Sequence, residues 1–433
     1  MNALPEDQHV AAQSIAERTR RRVTRRLIPF LCLLYVVAYL DRVNLSYAGL
    51  EMTKELSFSN EVFGFGSGIF FLGYVLLEIP GTMLVELWSA RKWISRIMIT
   101  WGLCAAYTGL VHGRQEFYWA RFLLGVAEAG FFPGVIVYLS HWFRAADRGK
   151  ALALFTAAIP LSQIIGSPVS AVLMKIHWLG YGGWRWLLIL EGIPAVILGV
   201  VTLFYLTDRP ADAKWLPQDE RDWLVGELER ERALVSGNKK HSIWQAFAHR
   251  DIILLTCVYF FGTTMSYGLQ FWLPKMMQKL SGFSPLTVTL LSVIPFLAAW
   301  PFTLFWGWSS DKRKERRWHV ALALLIGGAG LALSVMTSNV ILGVVAFTIA
   351  ACGISARMPP FWSIPNSILS GAAAAAVVGS INCVGNIGGF VGPYIIGYIS
   401  DRTHSYVGGM LFLVAASVVG AGMVIMVRPR KVV

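Results

Sequence analysis

The sequence predicts an all-α membrane protein with twelve transmembrane helices in two six-helix halves, and three observations predict it. First, 55% of the 433 residues are hydrophobic and 15% are charged, whereas soluble domains carry roughly 25% charged residues. A single aqueous core cannot hide that much apolar surface, which excludes a soluble enzyme, a disordered chain and a disulfide scaffold. Second, apolar stretches of about 20 residues, enough to cross ~30 Å of hydrocarbon, recur twelve times. Third, 28 of the 38 Lys and Arg fall in connections on one side, and five (Lys54, Arg114, Lys175, Lys279 and Arg402) fall on the other. The remaining five lie within the spans.

The predicted spans cover 27–48, 61–84, 93–111, 117–141, 150–174 and 184–206, then 251–279, 286–309, 318–337, 340–370, 372–399 and 406–427. The tenth is overlong and interrupted by Pro359, Pro360 and Pro365, so a kinked helix is expected there. The 28-to-5 split places both termini in the cytoplasm and the chain in the cell (inner) membrane as a multi-pass protein. The expected organisation is a basic cytoplasmic N-terminus (1–26), an N-terminal bundle (27–206), a cytoplasmic linker (207–250), a C-terminal bundle (251–427) and a cytoplasmic tail (428–433). Six Arg between positions 18 and 26 look superficially like a nucleic-acid patch. They abut the first span and are read as orienting charges, with no nucleic-acid partner. The apolar run 27–40 is read as a retained first helix rather than a cleaved signal. In the linker, Trp223, Leu224 and Leu228 form a narrow apolar stripe between an acidic start and a basic end, which predicts a short helix lying against the bundle. The five cysteines lie singly in apolar stretches and are read as free thiols.

Ionisable groups inside spans are expensive and face a cavity or one another. Asp41 and Arg42 lie about 21 Å along the first span at 1.5 Å per residue. Arg121 lies a few residues into the fourth span, at a similar depth. Two guanidiniums at one level suit a carboxylate; the competing expectation is that neighbouring acids merely neutralise them. Glu128 follows Arg121 by two turns and shares its face, with Gly125 between them leaving room for a ligand. Gly130 and Gly134 are read as a packing pair. Glu128 and Asp41 are the candidate proton-carrying groups, Glu128 the first choice. Glu78 and Glu191 are read as structural, with Arg185 pairing to Glu191. Tyr74, Gln163, Tyr267, Gln270, Asn382 and Asn386 are candidate substrate contacts, interhelical hydrogen bonding being the equal alternative. Arg357 is either an additional anion contact or a cytoplasm-facing charge. No zincin helix, nucleophile elbow, phosphate loop or metal-ligand cluster occurs, so neither an enzyme nor a resident cofactor is expected. The motif Gly64-Phe-Gly-Ser-Gly68 lies inside an apolar span and is read as packing.

Six segments carry a family resemblance: Tyr39-Leu-Asp-Arg-Val-Asn-Leu45, Trp119-Ala-Arg-Phe-Leu-Leu-Gly-Val-Ala-Glu-Ala-Gly-Phe-Phe-Pro133, Gly183-Trp-Arg-Trp-Leu-Leu-Ile-Leu-Glu-Gly-Ile-Pro194, Asp208-Arg-Pro-Ala-Asp-Ala-Lys-Trp-Leu216, Pro360-Phe-Trp-Ser-Ile-Pro365 and Gly385-Asn-Ile-Gly-Gly-Phe-Val-Gly-Pro393. The chain thereby resembles the anion:cation symporter family of the major facilitator superfamily, nearest its tartrate and related organic-acid permeases. The resemblance spans nearly the whole chain. It implies the major facilitator fold and proton-driven uptake of a small organic anion by rocking of two halves in a lipid bilayer, by a monomer. It also implies that Trp362 lines the cavity and that Asp311 and Arg313 belong to a gating loop. Three departures are Ser89, where the superfamily usually has Gly, Leu87, where a basic residue is common, and Arg357, where this branch carries a small or neutral residue. An exchanger or a drug-type exporter shares the fold and is the runner-up. A membrane sensor would need a signalling domain, for which the central segment is too short.

Overall fold

The computed structural model describes residues 6–236, 249–368 and 371–428, and these residues form helices without a strand. Twelve spans emerge. Those of the first half are Glu6–Glu55, Asn60–Leu87, Ala90–Thr108, Arg114–Ser140, Ala145–Leu173 and Gly183–Tyr205. Those of the second half begin with Arg250–Ser281, Pro285–Arg313 and Arg317–Met336. Span 10 is Val340–Ala356 continued by Met358–Ile368, span 11 is Gly371–Asn386 continued by Gly388–Thr403, and span 12 is Val407–Ile425. Ten of the twelve are long and apolar enough to cross a membrane individually. Span 3, with Arg91, Lys92 and Arg96 near its start, and the divided span 11 take the other two places in the bundle. Exposed apolar side chains such as Leu87, Phe204, Met336 and Ile341 form a surface suited to hydrocarbon and not to water.

Four of the five internal helix breaks have one cause. Helical segments end at Glu128, Thr156, Leu291 and Ala356, and a proline (Pro133, Pro160, Pro295 or Pro360) follows each by four or five residues. Proline has no N–H for the carbonyl four residues back and crowds it sterically. The kink expected in span 10 is therefore present, and the same rule breaks spans 4, 5 and 8. In span 4 the chain turns at Gly130, whose φ of +84° is the left-handed region that glycine occupies without strain. The fifth break, at Ile387, has no such proline.

The helix that carries span 1 starts at Glu6, well ahead of the apolar stretch from 27. No Gly or Pro interrupts residues 6–26, so the basic segment continues the span as one helix. Of the expected domains, the tail 429–433 and linker residues 237–248 lie outside the described residues. The linker helix forms over Gln218–Ser236, with Leu224 and Leu228 buried. It docks on the first half through Arg18–Asp219 (3.2 Å), Arg22–Glu220 (3.1 Å) and Arg144–Glu227 (3.6 Å).

These contacts mark the end of the bundle that carries the termini, here the terminal end; the opposite end is the far end. At the far end the halves are locked together. The Asp401 carboxylate accepts the backbone N–H groups of Asn60 (3.0 Å) and Glu61 (2.7 Å), so span 11 caps the exposed amides that begin span 2. Ser167 of span 5 donates to the carbonyl of Thr289 in span 8. A Cβ on Gly64 or Gly68 would meet the backbone of Pro393 or Phe390, which makes the Gly-rich motif a close-packing surface, as expected.

Candidate functional site

The site lies where spans 1, 2, 4 and 7 converge between the halves. Its centre is an ion pair: Arg42 Nε donates to Glu128 Oε1 at 2.7 Å. Glu128 is buried, and it is the last residue of the first segment of span 4. The Pro133 break thus places the carboxylate where the helix opens. Arg42 Nη1 also donates to the Tyr267 hydroxyl at 3.3 Å, which reaches across to the second half. The Arg42 guanidinium stands 5.2 Å from the Tyr74 ring centre and 5.5 Å from that of Phe70.

Arg121 stands 5.2 Å from the same Phe70 ring, so the two arginines expected at one level flank a single aromatic. Their partners differ. Among the described residues Arg121 makes no ion pair, its Nε has no hydrogen-bond partner, and it is 2% exposed. Arg42 is thus paired with a neighbouring acid, whereas Arg121 is not within ion-pair distance of one among the described residues. The shared face of Arg121 and Glu128 does not make them direct partners, because Arg42 occupies the Glu128 carboxylate. Gly125 is corrected too: a Cβ there would collide with the Phe70 carbonyl, so this glycine seats span 4 on span 2 and leaves no ligand space.

Asp41, beside Arg42 in sequence, turns the other way. It accepts hydrogen bonds from the Trp101 indole and from Asn44 Nδ2 (2.9 Å), and is buried. Successive helical residues are 100° apart, which sends Asp41 toward span 3 and Arg42 toward the centre. Glu191 accepts from Ser170 (3.2 Å). The expected Arg185–Glu191 pair does not form. Six residues turn the helix through 600°, so the two side chains point apart, and Arg185 instead binds Glu55 at 3.0 Å and the carbonyls of Gly109 and Val111.

A second cross-half link was illegible in the sequence. Glu78, read as structural near a span end, is buried, and its Oε1 accepts from Asn382 Nδ2 at 2.6 Å. Asn382 Oδ1 accepts from the Tyr259 hydroxyl at 3.0 Å, and Asn386 also faces Glu78. The available signal was length: span 2 runs 28 residues, which places Glu78 well inside it. Trp362 packs 4.9 Å from the Tyr259 ring. Gln270 is buried with its Nε2 unpartnered, whereas Gln163 is half-buried on span 5 and makes no hydrogen bond among the described residues. Arg357 is buried and donates to Ser266 Oγ at 2.8 Å, so it is not a solvent-facing charge. Asp311 and Arg313 lie apart from all these groups, exposed at the terminal end, where Asp311 pairs with Arg316. The five cysteines are free, as read.

A family model described as Major Facilitator Superfamily matches residues 31–393. A protein of Agrobacterium vitis named "Putative tartrate transporter" is 48% identical over 93% of this chain and 93% of its own length. A "Quinolone resistance transporter" of Acinetobacter baumannii is 35% identical over 91% of each chain. Among solved structures, a D-xylose-proton symporter superposes with a TM-score of 0.75 at 15% identity, covering 93% of this chain and 98% of that one; that likeness concerns the fold.

Proposed function

Because the chain belongs to the Major Facilitator Superfamily, and is thus a membrane transporter of organic substrates rather than an enzyme, we propose that it imports a small organic carboxylate such as tartrate or a sugar acid together with protons, by alternating access between its halves. The observation that carries this reading is the Arg121 guanidinium, buried with its Nε unpartnered and sharing the Phe70 ring with Arg42 of the Arg42–Glu128 pair. A desolvated cation without a bound acid is costly, and a substrate carboxylate offsets that cost by taking its paired N–H donors.

The chemistry runs as follows. The anion binds Arg121 once the far end has opened to the outside. A carboxylate oxygen near Phe70 then competes for Arg42, which is the only ion-pair partner of Glu128 among the described residues. A Glu128 carboxylate that loses Arg42 gains a proton in exchange. Asp41 is the second proton site, since among the described residues it is held by Trp101 and Asn44 and a proton there breaks no ion pair. Protons accompany the anion because one charge against an inward-negative potential costs about 2.3 kcal/mol per 100 mV. Tyr74, Tyr267, Gln270, Trp362, Asn382 and Asn386 supply hydroxyl, amide and aromatic surface around the substrate, and Gln163 joins them from span 5 as the halves move. The far-end lock formed by Asp401, Asn60 and Glu61 holds the conformation described here, and its release opens the other side. Asp311 and Arg313 act at the terminal end in the reciprocal closure.

Uptake into proteoliposomes under an imposed pH gradient, screened across tartrate, sugar acids, aromatic acids and neutral sugars, tests the reading. Carboxylate accumulation is expected, and uptake of neutral sugars alone would overturn it. The quinolone-resistance relative favours a second reading, drug export by the same fold; efflux of a cationic or zwitterionic drug with no carboxylate uptake would establish it.

The proposed orientation puts the terminal end in the cytoplasm. In a cysteine-free background, Lys150→Cys at the terminal end is expected to label only from the cytoplasmic side. Ser57→Cys, an exposed far-end position, is expected to label only from outside. The reverse pattern overturns the orientation.

A further inference from the structure

Resting on the proton-coupled reading above, we infer that Glu191 is a further proton-carrying residue, which shares one proton with Asp41 across Asn44 and passes it inward from the far end. Glu191 and Asn44 are 5% and 1% exposed. Among the described residues neither acid makes an ion pair. Asp41 accepts from Trp101 and Asn44, and Glu191 Oε1 accepts from Ser170 at 3.2 Å. Asn44 donates to Asp41 from Nδ2 at 2.9 Å and also faces Glu191.

Two orphaned atoms locate the proton. Asn44 Oδ1 and Glu191 Oε2 are both buried without a hydrogen-bond partner. An amide oxygen and a carboxylate oxygen only accept, so these two facing residues lack a donor between them. One proton on Glu191 Oε2 supplies it. Turning the Asn44 amide over does not, because its oxygen would then meet the Asp41 carboxylate. Two carboxylates at one buried place also repel, and a single shared proton leaves the pair one charge instead of two. No cation reaches Glu191 from the elements around it. Span 1 brings Asp41 and Tyr47, and span 5 brings Ser170. Span 3 packs Gly102 against Gly192, with Arg91, Lys92 and Arg96 nearer its terminal-end start. Asp41 itself feels Arg121, beyond ion-pair distance, and Glu128 from span 4, and Cys104 from span 3.

These polar groups form a file that leads inward. Along their own helices, at 1.5 Å per residue, Ser170 lies about 5 Å, Glu191 about 12 Å, Asn44 about 17 Å and Asp41 about 21 Å from the far end. The file runs inside the first half, apart from the Arg42–Glu128 pair, because Asp41 turns toward span 3 and Arg42 toward the centre. In the transfer the O–H bond of Glu191 breaks as one forms on Asp41. The Asn44 amide turns over, donating to the new Glu191 carboxylate and accepting from the Asp41 acid. Proton and anion thus enter by separate routes.

Infrared spectra of the purified full-length protein at neutral pH test the pair, since a protonated carboxyl group has its own C=O stretch. The parent is expected to show such a band and Glu191→Gln to lose it. Ser170→Ala, which keeps both acids and takes one hydrogen bond from Glu191, is expected to shift it. In proteoliposomes each coupled proton adds about tenfold to accumulation per unit of pH gradient. Glu191→Gln is therefore expected to lose about tenfold in tartrate accumulation across a one-unit gradient while counterflow persists. A band that survives Glu191→Gln, or parental accumulation in that variant, overturns the inference and leaves the proton-coupled reading standing. A parent that accumulates neither tartrate nor any sugar acid on a pH gradient overturns both. If Glu191→Gln does not fold, Ser170→Ala decides, and an unshifted band sinks the inference.

Discussion

Arg121→Lys is expected to weaken substrate binding by about 100-fold, equivalent to ~2.8 kcal/mol at 1.4 kcal/mol per decade, while the protein still elutes as a single folded species. Lysine keeps the charge, so a purely electrostatic role would survive the change. What it removes is the planar fork, whose parallel donors match the two oxygens of a carboxylate. The expected loss is large because the fold gives this guanidinium no ion pair among the described residues and leaves its Nε without a partner. Arg42→Lys is the informative comparison. Arg42 is spent on Glu128 and Tyr267 in the structure, so this variant is expected to lose less affinity and more coupling. Calorimetric titration of tartrate into both variants checks the pair, and parental affinity in both would remove the arginine site.

Glu128→Gln is expected to bind substrate and exchange it across the membrane, yet lose accumulation driven by a pH gradient by at least about tenfold, or 1.4 kcal/mol. Glutamine mimics the protonated acid in shape and charge. The empty carrier can therefore no longer reset its charge when substrate leaves, and the link between the proton and the anion is cut. The geometry sharpens the expectation, because the carboxylate is buried at a helix break and bonded to the arginine that the substrate is proposed to recruit. Asp41→Asn is expected to share the phenotype where two protons move. It should do so without altering the Arg42 environment, because Asp41 faces Trp101 and Asn44 instead. Counterflow and gradient-driven uptake, measured on the same vesicles, separate the two activities. Gradient-driven accumulation at the parental level in Glu128→Gln would show that the coupling site is elsewhere.

The amino-acid sequence alone determined what depends on one helix at a time. Apolar length set ten of the twelve spans outright, prolines marked the span 10 kink, and the linker stripe of Trp223, Leu224 and Leu228 set its docking face. Rise per residue put Arg42 and Arg121 at one level, and both flank Phe70. The tertiary structure decided what depends on which helices adjoin and how each is rotated. Arg42 binds Glu128 rather than Asp41 because the two neighbouring side chains on span 1 diverge by 100°. Glu78 reaches Asn382, from a residue 304 positions away, because the close packing of span 2 on span 11 draws the halves together. Arg185 found Glu55, and Gly125 went to packing against Phe70 rather than to a ligand. Periodicity fixes the face and depth of a side chain on its own helix. The identity of the opposing surface comes from close packing summed over all the neighbouring spans, which no single segment encodes.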